Sequence, residues 1–147
     1  MISFWQTDSR LNKELQTYGC AFLSSHYLIP DDLNPEEINL RWLSFKAQGI
    51  VNELFEIASW ARLLSGIASR EVAGMPFPLQ FSRVIKDQEY ICAPDEREII
   101  KWWLSNVKEN HFTVGDGRGV TAWDSMNRPD IMSAYSTFVQ KVIVKVG

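Results

Sequence analysis

Cysteine and histidine are scarce in this chain, and the scarcity narrows its chemistry. Only Cys20, Cys92, His26 and His111 are present. No close Cys/His pair has the spacing of a zinc site, so neither a structural metal nor any other cofactor is expected. A Cys20–Cys92 disulfide is disfavoured in a reducing compartment. Basic blocks are also missing: fifteen Lys and Arg stand against eighteen Asp and Glu, for a net charge of −3. A phosphate-neutralising surface, and with it nucleic-acid binding, is therefore not expected. The apolar runs fall far short of the roughly 20 residues that a membrane span needs. The opening Met1-Ile2-Ser3-Phe4-Trp5-Gln6-Thr7-Asp8 has neither the basic start nor the apolar stretch of a signal peptide. A cytoplasmic location is the expectation.

What is present suits a folded domain. A hydrophobic content of 46%, with 12% aromatic residues, excludes a disordered chain. A length of 147 residues fits one domain, 1–147, large enough for a real core. No internal repeat, low-complexity tract or domain-splitting linker interrupts it.

Helical patterns come first. Residues 2–6 read as a short strand or extended lead-in, and 11–19 as a mixed segment broken at Gly19. A helix from Cys20 to about Ile29 buries Phe22, Leu23 and Tyr27, and Pro30 ends it. Asn34 as N-cap and Pro35 at the first helical position open a second helix, which runs to about Gln48 on Ile38, Trp42 and Phe45 and stops at Gly49. A third is expected from Val51 or Glu53 to Ala68. The segment 74–78 reads as a connector.

Strand patterns dominate later. Phe81–Ile85 and Glu89–Cys92 read as strands. Pro94-Asp95 reads as another helix start, with Asp95 as N-cap and Glu98 completing a capping box over Ile99, Ile100, Trp103 and Leu104. Asn127–Asp130 is a turn and Val139–Val146 a terminal strand. Helices early and strands late give an α+β class.

The most informative stretch is Asn110 to Asp124. Two runs of β-branched and aromatic residues flank Gly115-Asp116-Gly117-Arg118-Gly119, the pattern of a β-hairpin. With the reversal centred on Gly117-Arg118, Thr113 faces Ala122 and His111 faces Asp124, on one face of the ladder. Phe112, Val114, Thr121 and Trp123 then occupy the other face. Directly opposed residues have Cβ atoms about 4.5–5.5 Å apart, so the carboxylate reaches the imidazole. It can hold the ring's tautomer and stabilise its charged form.

Such a pair calls for a nucleophile, and Cys20 at a helix start supplies one. The helix N-terminus favours thiolate, the imidazole moves the proton, and the acid orients the imidazole. An oxyanion would find the Cys20 N–H and a side-chain amide from the preceding segment. The bland readings are a core strand residue for Cys92, a surface or satisfied polar residue for His26, and core or groove-wall tryptophans at 42, 60, 102, 103 and 123.

Gly19-Cys20 before a small and apolar helix, Asn110-His111-Phe112 with Val114, and Trp123-Asp124 resemble the papain-like cysteine peptidases, C39-like branch. The opening Gln6-Thr7-Asp8-Ser9-Arg10 looks like that branch's Gln, Asp and Arg segment, and Ala21 stands where many relatives carry Gly. The resemblance implies a helical part bearing the Cys helix, packed on a C-terminal antiparallel sheet. It implies Cys20 as nucleophile, His111 as base, Asp124 as orienting acid and Gln6 as oxyanion-hole amide. Gln16, four residues before Cys20, competes for the last role. The implied activity is thiol-dependent cleavage of a peptide or amide bond in a peptide or protein substrate. Deamidation and acyl transfer use the same residues, and a catalytically silent binding module is the rival.

Overall fold

Helices fill the first half of the chain and an antiparallel sheet the second. The computed structural model describes residues 1–52, 57–68, 71–72, 75–76 and 78–147. The lead-in over residues 2–6 alternates buried Ile2, Phe4 and Gln6 with exposed neighbours; it bends at Phe4, enters a turn at Gln6 and does not pair as a strand. The mixed segment after it contains α1 (Lys13–Tyr18), capped by the Asn12 side chain on the Leu15 N–H.

Gly19 joins α1 to α2 (Cys20–Tyr27). Its N–H bonds the Leu15 carbonyl at 2.9 Å, and a Cβ at this position would overlap that carbonyl oxygen. The corner therefore requires glycine, and it sets where the next residue, Cys20, begins its helix. α2 is the axis of the helical part: every residue from Cys20 to His26 is buried. Its polar members are tied locally or to the sheet, Ser25 Oγ to the Ala21 carbonyl and Ser24 Oγ to the Phe112 carbonyl.

α3 (Pro35–Ala47) follows expectation closely. Asn34 and Glu37 form a reciprocal capping box, and Ile38, Trp42 and Phe45 are buried. α4 (Trp60–Ala68) buries Leu63, Leu64 and Ile67 but starts later than the sequence suggests. Val51 instead pairs with Ile57 in an isolated bridge, and the expected start at Glu53 lies outside the described residues. Within the expected connector, Met75–Pro76 forms β2, paired with β1 (Glu71–Val72). Residues 74 and 77 are outside the described set.

The main sheet comprises β3 (Leu79–Ile85), β4 (Glu96–Leu104), β5 (Glu109–Gly115), β6 (Thr121–Trp123) and β7 (Ser136–Val146). Its order is β3-β7-β4-β5-β6, antiparallel throughout. A short helix, α5 (Pro129–Tyr135), replaces the end of the expected turn at 127–130, and β7 starts earlier than Val139.

Two expected elements are replaced outright. The segment after Pro94-Asp95 is not a helix but the strand β4. Ile99 and Ile100 are both fully buried because β4 is covered on both faces, and a doubly buried strand mimics helical spacing. The charged Glu98 hides the alternation it shares with Ile100, Trp102 and Leu104. Glu89–Cys92 is not a strand but part of the β3–β4 loop, where Asp87 turns the chain by accepting the Glu89 and Tyr90 N–H groups.

The sheet's two faces differ. Ile99, Val114, Trp123, Val142 and Val144 join the helices in the apolar core. The opposite face carries a buried ion pair, Glu98–Lys141, at 3.0 Å with both side chains fully buried. Lys141 Nζ also donates to the Tyr90 carbonyl (2.6 Å), and Glu98 Oε2 accepts the Gly119 N–H (2.8 Å). The pair thus pins the β3–β4 loop and the tip of the β5–β6 hairpin to the sheet.

Removing one partner strands the other charge in a dry site, so Lys141→Met should cost about 3–5 kcal/mol in urea denaturation. Adding Glu98→Leu to that variant should recover much of the loss. A single-variant cost below about 1 kcal/mol, the range of an exposed pair, would contradict the burial described.

Candidate active site

Three chain segments meet around Trp123. Its ring stacks on Tyr27 of α2 (4.4 Å, 14°) and on Trp5 of the lead-in (6.0 Å, 18°). Each ring belongs to an element that carries a candidate residue: Gln6 follows Trp5, Tyr27 shares its helix with Cys20, and Asp124 follows Trp123. Aromatic stacking adds about 0.5–1.5 kcal/mol per pair beyond area burial.

His111 and Asp124 are joined by a 2.6 Å hydrogen bond between Nε2 and Oδ1. They do not meet by the direct opposition expected from the sequence. The Asp116 carboxylate accepts the Arg118 and Val120 N–H groups, and the Asp116 N–H bonds the Val120 carbonyl. A three-residue loop results, with Gly117 and Gly119 at positive φ. A bulge then intervenes, so Gly115 pairs with Thr121 and Val114 with Trp123. Thr121 consequently joins the His111 face, its hydroxyl 2.9 Å from that of Thr113. Asp124 lies just past the last paired residue and reaches His111 diagonally. Its carboxylate is fixed from behind by the Met126 N–H at 3.0 Å.

Cys20 lines the same cleft as this imidazole, and its side chain favours the charged form of the ring. Since Asp124 holds Nε2, the nitrogen left to meet the sulfur is Nδ1. Burial works against a charge on His111, but the bond to Asp124 and the Cys20 side chain outweigh it and push its pKa up to about 10. Asp124 is held below the usual carboxylate value: its burial opposes the charge, and bonding to His111 and to the Met126 and Arg128 N–H groups prevails. Histidine and aspartate are thus both charged at neutral pH.

Gln6 is buried and its amide is fully oriented. Nε2 donates to the Gln16 carbonyl (3.1 Å), Oε1 accepts from Ser125 Oγ (2.7 Å), and the Gln6 N–H bonds the Ser125 carbonyl (2.8 Å). A carbonyl can only accept, which settles which end of the amide is NH₂. Gln6, Cys20, His111 and Asp124 all line one cleft of about 700 Å³, with Trp60 and Trp103 in its wall. Gln16 is not part of that lining, and its own amide is spent on the Leu11 carbonyl at 2.7 Å.

The remaining thiol and imidazole sit elsewhere. Of the two readings of His26, surface or satisfied polar residue, the structure gives the second: it is fully buried, its Nδ1 2.8 Å from the Phe22 carbonyl. Cys92 is not a core strand residue: it is half-buried in the β3–β4 loop, its Sγ 3.6 Å from Glu98. Burial and that carboxylate push its pKa up to about 12. Ser24 and Ser125, which tie the thiol helix to β5 and Gln6 to the acid's neighbour, were not singled out from the sequence; only Ser125's position directly after Trp123-Asp124 offered a signal.

The family described as "Protein of unknown function, DUF261" matches residues 1–145. The chain belongs to that family. No curated protein and no solved structure matches this DUF261 chain. No group of His, Cys, Asp and Glu among the described residues could hold a metal ion. No described helix is long and apolar enough to cross a membrane.

A raised histidine pKa stabilises the fold fully below the unfolded value, about 6.5, and that contribution is lost as pH rises through about 10. Denaturation midpoints of the DUF261 chain should therefore fall between pH 6.5 and 10. Asp124→Asn should flatten that slope, as read from urea titrations at several pH values. Parallel profiles for the two proteins would contradict the ion pair.

Proposed function

We propose that the chain is a thiol-dependent hydrolase of the papain-like, C39-like kind, acting on a peptide or amide bond. The observation that carries the reading is the bonded His111–Asp124 pair in one cleft with Cys20 and the Gln6 amide. In this reading Cys20 attacks the substrate carbonyl as a thiolate, and the proton resides on His111. The oxyanion receives the Cys20 N–H, which has no intrahelical acceptor at the first position of α2. It also receives the second hydrogen of Gln6 Nε2. His111 then protonates the leaving amine, the C–N bond breaks, and an acyl-thioester remains. Water attacks that thioester with His111 as base and restores the thiol.

Deamidation follows the same steps with ammonia leaving, and acyl transfer follows them with an amine in place of water. A reducing, cytoplasmic setting suits the proposal, because Cys20 must remain a free thiol. Half-buried Cys92, kept protonated up to about pH 12, does not compete.

An activated ester tests the reading without knowledge of the substrate. p-Nitrophenyl acetate should give a burst of acyl-enzyme, absent in Cys20→Ala, and Gln6→Ala should slow acylation by about a hundredfold or more. A burst that survives in Cys20→Ala, or folded protein that shows none, would overturn it in favour of a binding module.

A further inference from the structure

Lysine side chains withdrawn from water are expected to be paired, and two of them are: Lys46 with Glu14 at 2.8 Å and Lys141 with Glu98 at 3.0 Å. Lys101 is the exception. It is half-buried and lines the cleft, yet it makes no ion pair with any carboxylate among the described residues. Its ammonium sits 5.9 Å from the centre of the Phe112 ring, which in turn lies 5.6 Å from Trp60. In register Lys101 stands between Phe112 on β5 and Gln140 on β7. A bulge interrupts the β4–β7 ladder immediately after this position, a device that re-aims side chains beside functional sites. Gln140 lines the same cleft. A cation and an amide thus flank one point of an aromatic-walled cleft, one residue along β5 from His111.

We propose that Lys101 and Gln140 form a carboxylate-binding subsite, so that the substrate of Cys20 carries an acid group close to the carbonyl under attack. The inference rests on the hydrolase reading for the role of Cys20. The carboxylate belongs either to an acidic side chain or to a free chain terminus. Two donors converge on it: the ammonium supplies charge, the amide a directed hydrogen bond.

Three probes distinguish the sources: iodoacetyl-Glu-amide, iodoacetyl-Gln with a free terminus, and neutral iodoacetyl-Gln-amide. They are applied to Cys92→Ser protein. One of the acidic probes should label Cys20 about tenfold or more faster than the neutral one. In Lys101→Met, and more weakly in Gln140→Leu, that ratio should fall towards one. Taking the ratio within each protein cancels any change in thiol reactivity. Equal rates for all three probes, or a preference that survives in Lys101→Met, would overturn the subsite. Should Cys20 prove inert, the hydrolase reading fails separately. Tryptophan-fluorescence titration with acetyl-Phe-Glu-amide and with acetyl-Phe-Gln bearing a free terminus, each against acetyl-Phe-Gln-amide, then decides the subsite: selective binding of either acid lost in Lys101→Met supports it, and equal binding of all three overturns it.

Discussion

The 2.6 Å bond between Asp124 and His111 is the interaction on which the rest of the site depends. It fixes the ring plane and occupies Nε2, which leaves Nδ1 as the nitrogen that can serve Cys20. Both partners are largely withdrawn from water (side-chain exposures of 9% and 10%), so the bond is worth more than a surface pair. Asp124 stays ionised there, against its burial, because His111 bonds it and backbone N–H groups from the following turn share its charge. The acid is therefore positioned by where β6 ends, and β6 ends where the bulge and the Trp123 stacks put it.

Two constraints of opposite character hold this geometry. On one face of the sheet an apolar core joins α2, α3 and α4 to β4, β5 and β7, and the Trp5, Tyr27 and Trp123 rings carry that packing up to the cleft. On the other face the Glu98–Lys141 pair and the Gly119 N–H clamp the hairpin tip. A buried ion pair contributes little net stability against an apolar equivalent, but mispairing it is costly. Its effect here is on register: β5 and β6 cannot slide without stranding Glu98. The thiol helix is tied in turn by Gly19 at its start and by Ser24 on the Phe112 carbonyl.

Local chemistry made parts of this legible in the sequence. Asn34, Pro35 and Glu37 announce α3 through capping, and Gly19 before Cys20 marks the helix start that matters most. The Gly-rich reversal at 115–119 announces the hairpin, and through it the meeting of His111 with Asp124. The exact pairing was not legible, because the Asp116 side chain selects a three-residue loop and the bulge shifts the ladder again. β4 was misread because tertiary burial of both faces erased its alternation, and because the Lys141 that neutralises Glu98 lies far along the chain. Lys101 had no local signal at all: its position beside Phe112 and Gln140 exists only once three strands are aligned.

In the proposed mechanism His111 holds the proton and Cys20 reacts as its partner. The most direct measurement is the rate of Cys20 alkylation by iodoacetamide at pH 6.5 and pH 9, in Cys92→Ser protein with and without His111→Ala. Under that mechanism the rates at the two pH values should be nearly equal when His111 is present. Without it, the rate at pH 9 should exceed that at pH 6.5 on the order of fiftyfold, as for a free thiol of pKa about 8.5. The same steep pH dependence in both proteins would contradict the account.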